Sequence, residues 1–173
     1  MTFKSIAAAV LLAASVGSAG AESLDITVPL TGTGSTLTAG FSLTHLLSGA
    51  FIDTITFTPS VGQSLVDASL ITLGLDVNNI DFYTVQLNGT PMTITGSGGG
   101  ALEYSGILQS TQSGLLRLTV TGYAGPVGAV EGTPINAVYA GTMNINPIPE
   151  PATYGMLIGG LGVLAFLARR RNT

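Results

Sequence analysis

The sequence contains no cysteine and no tryptophan, and its only histidine is His45. Without cysteine, thiol chemistry and disulfide bonds are excluded, so any domain of this chain has to be stable without such cross-links. Charged residues make up only 8% of the 173 residues, and between positions 22 and 150 Arg117 is the only base beside nine acidic residues. The resulting net charge of −8 in that range excludes nucleic-acid binding, which needs clustered lysine and arginine.

The first 21 residues have the order of features that is typical of a secretory signal peptide. Lys4 gives a positive start, an apolar run follows, and Ala19-Gly20-Ala21 supplies the small residues at which a signal peptidase cleaves. We expect cleavage after Ala21, which leaves residues 22–146 as the exported domain. The alternative is a buried N-terminal helix.

The last part of the chain combines an apolar segment with a basic cluster. Residues 152–168 contain no charged side chain, and Arg169, Arg170 and Arg171 follow them directly. A helix over that segment rises about 25 Å, just enough to cross the hydrocarbon core of a bilayer. Clustered arginines beside an apolar span stay on the cytoplasmic side. This pattern therefore predicts a transmembrane helix, with residues 22–150 on the side of the membrane opposite the cytoplasm.

Pro149-Glu150-Pro151 stands immediately before that segment. The two prolines favour extended backbone, so we expect this stretch to be accessible to a processing enzyme. Residues 147–173 closely resemble the PEP-CTERM sorting signal, in which Pro-Glu-Pro, a transmembrane segment and a basic cluster lie in that order. The resemblance implies export in a Gram-negative bacterium that makes extracellular polysaccharide, and cleavage near the motif by an exosortase. A permanent single-span anchor with a proline-rich neck is the alternative.

The residues between the two ends predict an all-β fold. Leu24, Ile26, Val28 and Leu30 alternate with polar neighbours, which is the period of a half-buried strand. "TGTGSTLTAG" at 31–40 is expected to be a loop. Further strands are predicted, separated by Gly, Asn or Pro, at 51–58, 66–75, 80–87, 90–95, 101–108, 115–122 and 136–145. This spacing favours a single antiparallel β-sandwich or jelly-roll-like domain.

One hairpin is predicted in register from "FYTVQLNGTPMTIT". Asn88-Gly89 lies between two alternating runs, which is the strongest short-range hairpin signal. A two-residue turn pairs Leu87 with Thr90, Val85 with Met92 and Tyr83 with Ile94 on one face, and Gln86 with Pro91, Thr84 with Thr93 and Phe82 with Thr95 on the other. Because proline donates no backbone hydrogen bond, 90–95 is expected to be an edge strand.

Asp53 is the most unusual internal residue. In "GAFIDTITFT" the strand period places it on one face with Phe51, Ile55 and Phe57, where a carboxylate has to be hydrogen-bonded, paired or bound to a cation. We expect it to accept backbone N–H groups from a crossing segment. A calcium ligand and a catalytic acid are the alternatives.

The same stretch carries a second resemblance. "LTHLLSGAFIDTITFT", "NNIDFYTVQLNGT", "GLLRLTVTGYAG" and "YAGTMNINPIPEP" resemble the FxDxF group of PEP-CTERM proteins, although Ile55 stands where the group's second phenylalanine belongs. This resemblance implies one β-rich exported domain and brings no established biochemical activity with it.

The remaining candidates for chemistry are weak. Asp76 and Asp81 in "DVNNID" are candidate calcium ligands beside a turn, but the EF-hand pattern is absent. His45 is a candidate for a Ser-His-Asp relay, but the sequence contains no nucleophile-elbow pattern around a serine. Glu103 is a candidate for a glycosidase pair, but its distance from a second carboxylate is not readable from sequence. We expect no catalytic residue and no cofactor. The sequence thus predicts an exported, exosortase-processed protein of the cell surface or biofilm matrix, associated with exopolysaccharide. The first alternative is a polysaccharide-binding module, with calcium as an optional aid, and the second is a glycoside or peptide hydrolase.

Overall fold

The computed structural model describes residues 20–32, 36–74, 76–96, 102–126, 128–149 and 151–171. Ala19 and most of the predicted signal peptide lie outside the described residues, as does Glu150. The elements are β1 Asp25–Pro29, β2 Leu37–Leu47, β3 Gly49–Leu73, a 3-10 helix Asp76–Asn78, β4 Ile80–Leu87, β5 Thr90–Pro91, β6 Thr93–Thr95, β7 Leu102–Ala124, β8 Pro134–Pro147 and α1 Pro151–Arg171.

The strands form one eight-stranded sheet with the order β2-β8-β3-β7-β4-β5. β1 pairs with β3 in parallel, β6 pairs with β7, and every pairing other than β1–β3 is antiparallel. The first half of β3 lies between β1 and the second half of β7, whereas its second half lies between β8 and the first half of β7. β3 and β7 therefore connect two halves of the sheet.

These two long strands correct the sequence prediction. β3 joins the predicted strands 51–58 and 66–75 in one strand of 25 residues that ends at Leu73. β7 joins 101–108 and 115–122 in one strand of 23 residues that begins at Leu102. Pairing between them changes register three times, between Phe57 and Ala68. The prediction of separate strands is wrong because its breakers, Pro59 and Gly114 among them, lie at irregularities inside continuous strands.

β2 is a further correction, because residues 37–40 belong to a strand and not to the predicted loop. Its small and hydroxyl-bearing residues pair with β8 from Leu37 opposite Ile145 to Leu47 opposite Pro134. Ala39, Phe41, Leu43 and His45 are buried at every second position. A one-sided strand of this kind has the two-residue period expected of a half-buried sheet.

Both halves of the sheet contribute side chains to one core. Phe41 of β2 meets Phe57 of β3 edge to face at 5.7 Å between ring centroids, although these two strands are not paired. The inward faces of the two halves thus pack against each other. The prediction that residues 22–146 form β-strands is confirmed. The strands belong to one continuous sheet and not to two separate ones, so the sandwich or jelly-roll arrangement stays a prediction.

The hairpin prediction is confirmed at its turn. Asn88 and Gly89 have φ of 48° and 82°, as a two-residue type I′ turn requires, and Leu87 pairs with Thr90. Gln86 pairs with Pro91, and β5 ends the strand order as the predicted edge. The backbone N–H of Met92 also donates to the carbonyl of Val85 at 2.8 Å, as the predicted pair requires. Beyond Met92 the predicted register is wrong, because Thr93–Thr95 leaves β4 and pairs with β7.

Helix α1 confirms that the segment predicted at 152–168 is helical. Its side chains from 154 to 170 are all exposed. Within the described residues, no helix combines the length and apolar character needed to cross a membrane. The transmembrane role of 152–168 stays a prediction.

Candidate functional site

Asp53 lies on the inward face of β3, between Phe51 and Ile55, and is completely buried. Its Oδ1 accepts the backbone N–H of Leu24 at 2.8 Å. Its Oδ2 lies 2.7 Å from the donating hydroxyl of Tyr139 and 3.0 Å from Nε2 of His45. The predicted backbone donor is present, and two side-chain donors that the sequence did not predict complete the site.

Strand pairing brings these two donors together. His45 of β2 is opposite Ala137 of β8, which lies two residues before Tyr139 on the same face. The His45 ring stacks on Phe51 with 4.2 Å between centroids. Sequence reasoning missed this role for His45 because β2 was not predicted, although the alternation of apolar residues before His45 carries the signal.

The hydrogen bonds define the protonation of this cluster. Burial, and then the negative charge of Asp53, raise the pKa of Tyr139 above its ordinary value, so the hydroxyl stays protonated and donates. Nδ1 of His45 is buried and has no hydrogen-bond partner within the described part of the chain. Nε2 of His45 donates to Asp53 when it carries a proton, and Nδ1 is then the ring atom without a partner in that part of the chain.

This geometry suits a structural network better than a catalytic one. His45, Asp53 and Tyr139 are at most 1% exposed. Among the described residues, no serine hydroxyl bonds to His45, so no Ser-His-Asp relay is assembled. The cluster fixes β2 and β8 against the first half of β3.

The other candidate carboxylates lie in different environments. Asp81 is half-buried and accepts the side-chain amide of Asn79 at 3.0 Å, while the side chain of Asp76 lies outside the described residues. Glu103 is buried and accepts the backbone N–H of Phe82 at 2.6 Å. Over the described ranges, no three His, Cys, Asp or Glu residues are grouped to hold a metal ion. Calcium binding stays a prediction.

The segment that resembles a sorting signal, residues 147–173, begins at the last residue of β8, and only three residues separate β8 from α1. Pro147, the last residue of β8, is opposite Ser64, and the N–H of Ile148 donates to the carbonyl of Gln63 at 2.9 Å. Pro149 is exposed outside regular structure, and α1 begins at Pro151. Pro149 is therefore accessible, as predicted. The prediction that Pro151 is extended is wrong, because Pro151 is the first residue of α1, a position at which a helix tolerates proline.

Helix α1 exposes apolar side chains around its whole circumference. Large apolar residues from Tyr154 to Leu167 are between 50% and 81% exposed, and Arg169 and Arg170 are exposed after them. Among the described residues, no side chain of α1 belongs to the hydrophobic core of the β-domain. This part of the chain is the strongest candidate for a functional segment.

Comparison with known proteins supports that choice. Residues 147–171 match the family model described as the PEP-CTERM protein-sorting motif. No curated protein and no solved structure matches the chain significantly. The likeness to the FxDxF group stays a prediction. The similarity to the PEP-CTERM protein-sorting motif thus covers the end of β8, the junction and α1, and it does not extend to the rest of the β-domain.

Proposed function

We propose that this chain is an exported protein that an exosortase processes at its PEP-CTERM motif. On this proposal it has no catalytic activity and resides at the cell surface, at the outer membrane or in an exopolysaccharide matrix. The observation that carries the proposal is the sorting motif at 147–171. Exopolysaccharide association rests on the resemblance to PEP-CTERM proteins of polysaccharide-producing bacteria.

The junction between β8 and α1 suits a processing site. Among the described residues, the last backbone hydrogen bond between the domain and this segment is the one from Ile148 to Gln63, and Pro149 beyond it is exposed. Prolines keep the adjoining residues extended, and processing enzymes bind their substrates in extended form. An exosortase can therefore reach the motif without opening the sheet.

We further propose that α1 is seated in the membrane until the chain is cut. Its exposed apolar residues would then contact lipid, and Arg169 and Arg170 would remain at the cytoplasmic surface. A signal peptidase would act at the other end, where we expect cleavage after Ala21. Ala21 itself is only 9% exposed and packs against the core of the β-domain. Mass spectrometry of the mature N-terminus therefore tests whether cleavage occurs after this residue.

The test replaces Pro149, Glu150 and Pro151 by alanine in the producing cell. We expect the wild type to yield a shortened product and the variant to accumulate as the full-length chain in the membrane. Pro147→Ala is the matched control, because Pro147 is a nearby proline that ends β8 and lies outside the Pro149-Glu150-Pro151 stretch. Mass spectrometry of both termini, in cells and in the medium, gives the result. Release of an equally shortened product from the triple variant would refute exosortase processing.

A further inference from the structure

Tyr104 lies on the outward face of the sheet half formed by β6, the first half of β7, the second half of β3, β8 and β2. It is opposite Thr95 of β6 and Ile71 of β3, and 43% of its surface is exposed. A Cβ built on Gly106 would lie 2.5 Å from the Tyr104 hydroxyl oxygen and 2.9 Å from Cζ. The ring therefore extends along the strand toward Gly106, and part of its surface remains open to solvent.

Two open cavities adjoin this ring. One has a volume of about 370 Å³ and continues from Tyr104 over Gly106 to Thr93 and Thr95 of β6. The other has a volume of about 250 Å³ and continues toward β3 and β8. Tyr104 and Leu108 line both cavities, so the two form one groove divided by these side chains. We call this groove the Tyr104 surface.

Polar groups line the second cavity. Asp67 and Asn144 are paired across β3 and β8, and so are Ser69 and Thr142. The hydroxyls of Ser69 and Thr142 are 3.0 Å apart. Oδ1 of Asp67 accepts the backbone N–H of Gln109 at 2.6 Å, which fixes the carboxylate beside the cavity. Hydroxyl, amide and carboxylate groups thus lie next to an exposed aromatic ring.

This combination determines the class of ligand. An aromatic face binds flat apolar surfaces such as the C–H face of a pyranose ring, and the neighbouring polar groups can bond to several hydroxyls. No base lines either cavity among the described residues, and Arg117 borders a different cavity with Asn88 and Gly89. With a net charge of −8 over 22–150, the domain repels anionic polymers.

We propose that the Tyr104 surface binds a neutral glycan chain, with a sugar ring stacked on Tyr104 and hydroxyls bonded to Asp67, Thr142 and Asn144. The inference rests on the proposed extracellular location for its biological context. Glycan binding itself does not require processing by an exosortase. If the test of exosortase processing fails, the glycan-binding proposal still stands, and if no glycan binds, the processing proposal still stands.

The test uses the full chain in a detergent without a sugar headgroup, with cellohexaose and laminarihexaose as neutral probes and oligogalacturonate as the anionic probe. Binding is measured by calorimetry and by saturation-transfer NMR. We expect a neutral probe to bind the wild type, and Tyr104→Phe to retain binding because the ring remains. Tyr104→Ala should weaken the affinity by about tenfold or more, equivalent to about 1.4 kcal/mol.

Tyr83→Ala is the matched control, because Tyr83 is an exposed tyrosine on β4, outside this groove. Its affinity should equal that of the wild type. Circular dichroism and thermal unfolding establish that each variant is folded. Equal losses in Tyr104→Ala and Tyr83→Ala would overturn the assignment of the site. Binding of oligogalacturonate alone, or of none of the three probes, would overturn the ligand class.

Discussion

Replacing Asp53 with asparagine tests whether the buried carboxylate holds the two halves of the sheet together. Its three donors come from the segment before β1, from β8 and from β2, through Leu24, Tyr139 and His45. The carboxylate therefore connects β3 to a neighbouring segment and to strands of the opposite half. Asparagine keeps the shape of the side chain but replaces one acceptor oxygen with a donating NH₂ group.

The cost follows from the positions of these donors. In one orientation the amide oxygen faces Tyr139 and His45, and the NH₂ group faces the Leu24 N–H, which loses its acceptor. In the flipped orientation the NH₂ group faces Tyr139 and His45, and these two donors lose their acceptor. One orphaned buried donor costs about 1–3 kcal/mol. The remaining bonds go to a neutral acceptor, and each loses roughly 1 kcal/mol. We expect the free energy of unfolding to fall by about 3–5 kcal/mol in Asp53→Asn.

Urea unfolding of the purified chain, followed by circular dichroism, measures this difference. Asp25→Asn is the matched control, because Asp25 lies on the neighbouring strand β1 with an exposed side chain. The control should remain within about 0.5 kcal/mol of the wild type. If Asp53→Asn loses no more stability than Asp25→Asn, the three hydrogen bonds do not stabilise the fold and the reasoning is refuted.

Two further predictions concern alkaline pH and core packing. Because the pKa of Tyr139 is raised above 10.0, the native state keeps a proton that the unfolded state releases above that pH. The wild type should therefore lose about 1.4 kcal/mol per pH unit above pH 10 relative to Tyr139→Phe, and parallel stability curves for the two proteins would contradict this. A Cβ at Gly141 would overlap the ring of Phe41, whereas Gly62 has open space around it. Gly141→Ala should lower the unfolding free energy by about 1–3 kcal/mol and Gly62→Ala should not, and equal effects in urea would contradict that packing.

The sequence predicted features that depend on local pattern. The face shared by Phe51, Asp53, Ile55 and Phe57 is confirmed by their burial, because a period of two residues follows from strand geometry alone. The Asn88-Gly89 turn is confirmed because few residues adopt positive φ at both central positions. Both predictions needed only neighbouring residues.

Features that depend on distant parts of the chain were not predictable. Tyr139 is 86 residues from Asp53, and nothing local to either residue indicates their contact. On β4, the register with β7 shifts between Phe82 and Thr84, so Phe82 is buried and Tyr83 is exposed, the reverse of the predicted faces. A bulge depends on the partner strand, which a single-strand pattern does not contain.

The junction at Ile148 separates folding from processing. Every buried residue of the hydrophobic core precedes it, the last being Ile145, and α1 contributes none among the described residues. Two residues lie between Ile148 and the start of α1 at Pro151, so the Cα atoms of Ile148 and Pro151 are at most about 10 Å apart. An enzyme that reads the motif therefore works close to Gln63 at the edge of a folded domain. Among the described residues, a cut beyond Ile148 would remove no core side chain and no sheet hydrogen bond, so the cleaved domain would keep all eight strands paired.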